Sequence, residues 1–204
     1  HERFLFEGQK KKRISNQSLK KLFENLKNNG WQPIFEKENV VGMQRENQQI
    51  TTEPGLQCEL SGAPLENIHQ VCNESSKFLK EIESASKELD INTVSIGFDP
   101  FNDLSDVPRS PKKRYKIMTN EMPKGGKQSF EMMYRTCGIQ INYDYTSENN
   151  FEKIFRLGNY LTPLTIALYS NSPFESGKPT GYYSFRNKVW QNTSRGVIRT
   201  IGCE

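Results

Sequence analysis

Histidine is nearly missing from this sequence: only His1 and His69 occur among 204 residues. A Cys–His nucleophile pair or a histidine-built metal site therefore has little material. Cysteine is sparse as well. Cys58, Cys72, Cys137 and Cys203 lie far apart with no CxxC spacing, which argues against zinc. Two fates stay open for these thiols: packing as small apolar groups in a reducing cytosol, or a regulatory disulfide. No apolar run approaches the roughly 18–20 residues of a membrane span. Charge of one sign is not in excess either, with 28 Lys and Arg against 24 Asp and Glu. Neither a nucleic-acid nor a membrane partner is expected, and no RNP-like or KH pattern appears. No charged-then-apolar leader is visible, and the expectation is a cytoplasmic protein. The chain opens in strand-like sequence without Met, so it is read as an internal piece of a longer polypeptide.

What is present is aromatic: 12 Phe, 8 Tyr and 2 Trp, enough large side chains for a packed core. A strand over 2–7 leads through a basic turn, 10–13, into a helix capped by Ser15 or Ser18. That helix carries Leu19, Leu22, Phe23 and Leu26 at helical spacing and ends at Gly30. Extended segments over 31–35, 40–44, 49–53 and 56–60 are punctuated by Asn, Gly and Pro, as hairpins are. Further expected elements are a helix over 65–89 starting at Pro64, a strand over 93–98 and a loop over 99–112. Helices over 113–121 and 127–134 lead to a strand over 135–145. A helix over 147–170, kinked at Pro163, precedes a loop over 171–181. Hairpins with long helices between them indicate α+β.

Two strands have an unusual polar face. Over 135–145, Ile139, Ile141, Tyr143 and Tyr145 alternate with Gln140, Asn142 and Asp144; over 56–61, Leu56, Cys58 and Leu60 alternate with Gln57, Glu59 and Ser61. Alternation sends each set to its own side. An ordinary wet face favours Lys, Thr and Arg, whereas these carry carboxylates and amides. Such oxygens gathered on one surface suit a hard cation such as Mg²⁺, which takes them at about 2.1 Å. Glu2 and Glu53 are candidates from neighbouring strands. A cationic set accompanies them: Lys112, Lys113, Arg114, Lys124, Lys127, Arg135 and Arg186. An arginine fork grips a carboxylate bidentately, while Lys112, Lys113 and Lys127 are read as surface charges. The stretch from Met122 to Lys127 lacks the spacing of a phosphate-binding P-loop. Acidic ligands, arginines and no strong nucleophile suit metal-assisted phosphoryl or acyl chemistry.

Longer stretches carry a resemblance. They are His1-Glu2-Arg3-Phe4, the run from Thr52 through Glu53-Pro54-Gly55 to Pro64, Pro111 to Met118, Met122-Pro123-Lys124, and Met132 to Cys137. Gln140 to Asp144, Asn171 to Phe174 and Ser184-Phe185-Arg186 complete the set. In these the chain resembles the glutamate–cysteine ligases of plant and proteobacterial type. The resemblance implies a glutamine-synthetase-like fold: a curved antiparallel sheet with helices packed on its outer face. Residues 1–204 would be one catalytic-domain fragment from the N-terminal half, inactive alone. The implied reaction is ATP-dependent joining of the L-glutamate γ-carboxylate to the L-cysteine amine through a γ-glutamyl phosphate, the first step towards glutathione, with Mg²⁺ and ATP required. Position by position, Glu2, Glu53 and Glu59, with Gln140 and Asn142, match metal-binding positions. Arg114 and Arg186 match the arginines that hold glutamate, with Tyr115, Thr136 and Trp190 as substrate neighbours. Alternatives are a related ligase with another amine acceptor, and an inactive binding domain of the same fold. Cys58 stands where the family often has an aromatic.

Overall fold

The computed structural model describes residues 1–193; Cys203 lies outside them. Strand β1 (Glu2–Glu7) is the centre of a seven-stranded antiparallel sheet. It turns back through β2 (Lys12–Arg13) into helix α1 (Asn16–Leu26). Of the two candidate caps Ser15 is used, its hydroxyl accepting from Ser18 N at 3.1 Å, which satisfies a helix-end donor that would otherwise have no partner. Gly30 follows a 3-10 turn at φ 83°, a left-handed conformation that glycine adopts without steric cost.

Strands β3 (Gln32–Glu36), β4 (Asn39–Arg45), β5 (Gln48–Thr52) and β6 (Cys58–Ser61) form successive hairpins, and β6 pairs with β1. Helix α2 (Ile68–Ser86) starts later than expected, at the cap Asn67 rather than Pro64. Its first turns are not core: Ile68 is 73 % exposed, and burial begins at Phe78. Strand β7 (Ile91–Val94), shorter and earlier than expected, lies on the other edge of β1. Helices α1 and α2 cover one face of the sheet, where Leu5, Met43, Ile50, Cys58 and Leu60 meet Leu22, Phe23, Phe78 and Ile82. Each such side chain contributes roughly 1.5–3 kcal/mol by leaving water. Polar groups join the layers too. Trp31 Nε1 donates to Glu81 Oε2 at 2.9 Å, and Arg45 Nη1 donates to Glu81 Oε1 at 2.8 Å.

The loop expected over 99–112 begins earlier, at residue 95, and carries one 3-10 turn. Helices α3 (Lys113–Glu121) and α4 (Ser129–Arg135) follow. The strand expected over 135–145 does not form. Arg135 ends α4, Thr136 makes one isolated bridge to Phe98, and 138–145 is irregular. Ile139, Ile141, Tyr143 and Tyr145 are exposed. Alternating polarity marks an extended chain, but a strand also needs a neighbour's N–H and C=O groups, and none of the described strands pairs there. Helix α5 (Glu148–Tyr169) is capped by Ser147 and runs on through Pro163. It buries no residue and leaves Phe151, Phe155, Leu161 and Leu164 exposed. A small hairpin, β8 (Phe174–Glu175) and β9 (Lys178–Pro179), interrupts the expected loop before α6 (Phe185–Gln191). A second core joins α4 and α6 through Met132, Met133, Phe185 and Val189, with Phe98 meeting Phe185 edge-on at 4.9 Å. No helix among the described residues is long and apolar enough to cross a membrane.

Candidate active site

The register of the sheet brings the first acidic groups together. Thr51 lies opposite Glu59, and Glu59 lies opposite Glu2. Residues directly opposite share a face, so these side chains form a row across β5, β6 and β1, away from α1 and α2. Two carboxylates facing each other would ordinarily be selected against as like charges. Thr51 Oγ1 donates to Glu59 Oε2 at 3.0 Å. The backbone N–H of Gly138 donates to Glu2 Oε2 at 2.6 Å.

Glu53 enters from a tight turn after β5. Glu53 N donates to Gln57 O, and Leu56 N donates to Glu53 O, both at 2.9 Å. Gly55 is required there because a Cβ would stand 2.5 Å from Tyr134 O. The phenol of Tyr115, on α3, donates to Thr52 O at 2.9 Å and to Glu53 Oε1 at 3.2 Å.

Glu2, Glu53 and Glu59 line one cavity of about 430 Å³, with Gln57, Arg114, Thr136, Gly138, Gln140, Arg186 and Trp190. Its remaining wall is apolar, built of Pro54, Met118, Met122, Met132, Met133 and Ile139. Electrostatics follow from this crowding. Burial, then the charge of Glu53, pushes the Glu2 carboxyl from 4.5 up to about 7. Burial, then Glu59, raises Glu53 as well. Burial raises the Tyr115 phenol, with Glu53 adding to it. Burial also lowers Arg186, although Glu2 opposes this.

Arg186 comes from the start of α6, its N–H donating to Ser172 Oγ at 3.2 Å. The guanidinium stacks on Trp190, 5.3 Å from the ring centroid. Arg186 Nε and Trp190 Nε1 are buried with no partner among the described residues. Buried donors without acceptors are costly, and here both belong to residues lining the cavity. Arg114 is exposed and lies 5.0 Å over the Tyr115 ring.

The sequence-predicted residues do not all meet here. Asn142 is exposed, off the cavity, and its Oδ1 accepts from Gln140 Nε2 at 3.0 Å. Gln140 lines the cavity but is itself exposed. Both sit on the irregular 138–145 segment, so the expected row of ligands on a strand is absent. Thr136 Oγ1 is spent on Met132 O at 2.7 Å. Arg135 is buried and pairs with Glu131 and Glu175 outside the cavity. Lys112, read as a surface charge, is half-buried and donates to Thr52 O at 2.8 Å. The methionine wall escaped the sequence reading, since Met on helices carries no sign of a cavity until the elements are placed. Gln57, expected on the polar face with Glu59, does line the cavity, from just ahead of β6.

The donor chemistry of Glu2, Glu53 and Glu59 fits a hard divalent cation. The three carboxyl groups line one cavity, and burial, then their mutual charge, raises those of Glu2 and Glu53, a cost that a cation offsets. Among the described residues, however, no three His, Cys, Asp or Glu side chains are arranged to enclose one ion. The acidic groups line a wall and need ligands from substrate or water to complete a shell.

The sequence pattern of glutamate-cysteine ligase family 2 (GCS2) matches residues 1–201. The chain belongs to this family. Family relatives include the rice (Oryza sativa subsp. japonica) protein named glutamate–cysteine ligase A, chloroplastic, 42% identical over 194 residues. These cover 95% of this chain and 39% of the rice protein. The chloroplastic glutamate–cysteine ligases of Nicotiana tabacum and Arabidopsis thaliana are 40% and 39% identical, over 95% and 96% of this chain and 37% and 38% of theirs. The chain thus spans about two fifths of the length of the curated relatives it matches. Their chloroplastic names overturn the expectation of a cytoplasmic protein. Cys58 is fully buried in the core under α1 and α2, on the face of the sheet away from the cavity.

Proposed function

We propose that this chain is the glutamate- and metal-holding part of a plastid glutamate–cysteine ligase. The whole protein would join the γ-carboxylate of L-glutamate to the amine of L-cysteine at the expense of ATP. The observation that carries this is the cavity itself, in which Glu2, Glu53 and Glu59 face Arg186 and Arg114 within about 430 Å³. Glutamate presents two carboxylates and an ammonium, and ATP presents a polyphosphate. A site of mixed sign suits both.

In this reading Arg186 and Arg114 take the α-carboxylate of glutamate by charge-assisted hydrogen bonds. Trp190 Nε1 and Arg186 Nε, buried without acceptors, gain partners when substrate enters. Tyr115 and Lys112 hold Thr52 and, in the case of Tyr115, Glu53 as well. Glu2, Glu53 and Glu59, with Gln140 at the rim, would hold Mg²⁺. That ion would screen the phosphates and withdraw charge from the transferring phosphoryl group. The γ-carboxylate oxygen attacks the terminal phosphorus of ATP, ADP leaves, and a γ-glutamyl phosphate forms. The cysteine amine then attacks its carbonyl carbon, phosphate leaves and the amine loses a proton. The apolar wall of Met118, Met122, Met132 and Met133 keeps water from the acyl phosphate. Segments corresponding to the rest of the relatives' length would complete the nucleotide site and cover α5.

Substitution of Glu59 by Gln in the full-length protein tests this. Formation of γ-glutamylcysteine should be abolished, or should survive only at a raised Mg²⁺ concentration, with the far-UV circular dichroism unchanged. Unaltered kinetics would remove Glu59 from the site. Ligation of other amines in place of cysteine would favour the related-ligase reading.

A further inference from the structure

Gln57 lines the cavity yet offers no donor to a ligand. Its Oε1 accepts from Gly55 N at 2.8 Å, and its Nε2 donates to Met133 O at 3.2 Å and Thr136 O at 2.9 Å. A glutamine amide has two N–H groups, and both are spent on backbone carbonyls at the end of α4. The residue is 1 % exposed. Arg13 works on the same turn from the opposite side. Its Nη2 donates to Gly55 O and its Nη1 to Tyr134 O at 3.2 Å, while Asp99 balances its charge at 3.4 Å. Ser110 N donates to Pro54 O at 2.9 Å. Leu56 sits at φ 61°, a left-handed conformation that costs a branched residue about 1 kcal/mol and persists only where surroundings enforce it.

From this geometry we propose that Gln57, backed by Arg13, is a positioning residue: it clamps the 53–57 turn to the end of α4 and so fixes the Glu53 carboxylate relative to Glu2 and Glu59. The inference rests on the metal-holding role given to those carboxylates above. Nothing in the clamp reaches the cavity ligands directly. It acts through the turn, because every hydrogen bond that Gln57 and Arg13 make to this region ends on the backbone of the turn or of α4. A turn freed from α4 keeps its contacts to Ser110, Lys112 and Tyr115, none of which ties it to α4, and part of the cost of assembling the ion site shifts from folding to binding.

The test uses the full-length enzyme. Gln57→Met keeps the side-chain length and removes all three hydrogen bonds. It should weaken Mg²⁺ binding, measured directly by isothermal titration calorimetry, and raise the Mg²⁺ concentration for half-maximal rate, each by about tenfold or more, as loss of a group that orients a metal ligand does, with the KM for cysteine unchanged. A structural role alone lowers the folded fraction, which reduces the maximal rate and raises half-saturation by no more than the reciprocal of that fraction, read from far-UV circular dichroism without Mg²⁺. Gly55→Ala reaches the same turn differently, by placing a Cβ against Tyr134 O, and should shift Mg²⁺ half-saturation in the same direction. Half-saturation within twofold of the parent in both variants overturns the clamp. So does a complete absence of folded protein in both, which would make these residues determinants of the fold only. Glu59→Gln serves as the reference. If it abolishes ligation or shifts Mg²⁺ half-saturation and Gln57→Met does neither, only the clamp fails. If Glu59→Gln itself leaves Mg²⁺ dependence unaltered, the metal-holding reading fails and takes the clamp with it.

Discussion

Substituting Glu2 by Gln isolates the electrostatic cost of crowding carboxylates on one face of the sheet. Burial, then Glu53, raises the Glu2 carboxyl from 4.5 to about 7. At pH values between these two the folded protein keeps a proton that the unfolded chain has released. The folded state therefore binds more protons, and stability falls as pH rises through this window. At about 1.4 kcal/mol per pH unit, the displacement amounts to about 3 kcal/mol, fully expressed above pH 7 and absent below pH 4.5. Gln at position 2 does not titrate, and its amide oxygen still accepts from Gly138 N. Without divalent cations, Glu2→Gln should exceed the parent in stability by about 3 kcal/mol at pH 8 and match it near pH 4.5. Urea unfolding of the full-length protein at pH 4.5, 6 and 8 with a chelator measures this, since the parent-minus-variant difference cancels titrating groups that do not interact with Glu2. Saturating Mg²⁺ should close or reverse the gap at pH 8, because a bound cation favours the ionised carboxylate. A variant uniformly less stable than the parent, with no dependence of the difference on pH, would refute the argument.

Arg186→Lys should raise the KM for glutamate at least about tenfold, or 1.4 kcal/mol, since an ammonium cannot reproduce a bidentate fork; an effect confined to ATP in steady-state kinetics would contradict that role. Asp99→Ala should destabilise the protein by about 3–5 kcal/mol, because it strands the Arg13 guanidinium, paired at 3.4 Å with both side chains fully buried, without its counter-charge. A loss below about 1 kcal/mol in chemical denaturation would show that the pair contributes no more than a surface one.

The parts of the fold that local chemistry determines were legible in the residues. Ser15, the 19–22–23–26 stripe and Gly30 define α1, and the Asn, Gly and Pro between short apolar runs define the hairpins. Alternation in 56–61 correctly separates Cys58, Leu56 and Leu60 from Glu59, because β6 has one dry face and one facing the cavity. The same alternation misled over 135–145. Period two is necessary for a strand but says nothing about whether an edge is free to pair, and that depends on residues far away in sequence. Lys112 failed for a similar reason. A lysine beside another lysine resembles a solvated pair until the hairpin end at Thr52 supplies the carbonyl that its ammonium finds. Gln57 shows the limit most clearly. Its three partners lie on Gly55, Met133 and Thr136, and two of them are separated from it by the whole of α2 and α3.

The cavity lies where pairing along β1 changes hands. On one edge β7 accompanies only Phe4 to Glu7, so the N-terminal end of β1 has no strand beside it there. An unpaired edge is a liability unless something satisfies its backbone. Here the chain leaving α4 does so: Glu2 N donates to Gly138 O at 3.0 Å, and Cys137 N, donating to Gly97 O at 3.2 Å, anchors that chain to the segment after β7. That substitution for a strand draws Gly138 against Arg186, whose Nη2 would lie 2.8 Å from any Cβ at position 138. It thereby sets a cation from α6 opposite the carboxylates of β1 and β6. The same few residues thus complete the sheet and assemble a site of mixed charge. The irregular stretch after Thr136 is for this reason part of the cavity's architecture, although it contributes no strand.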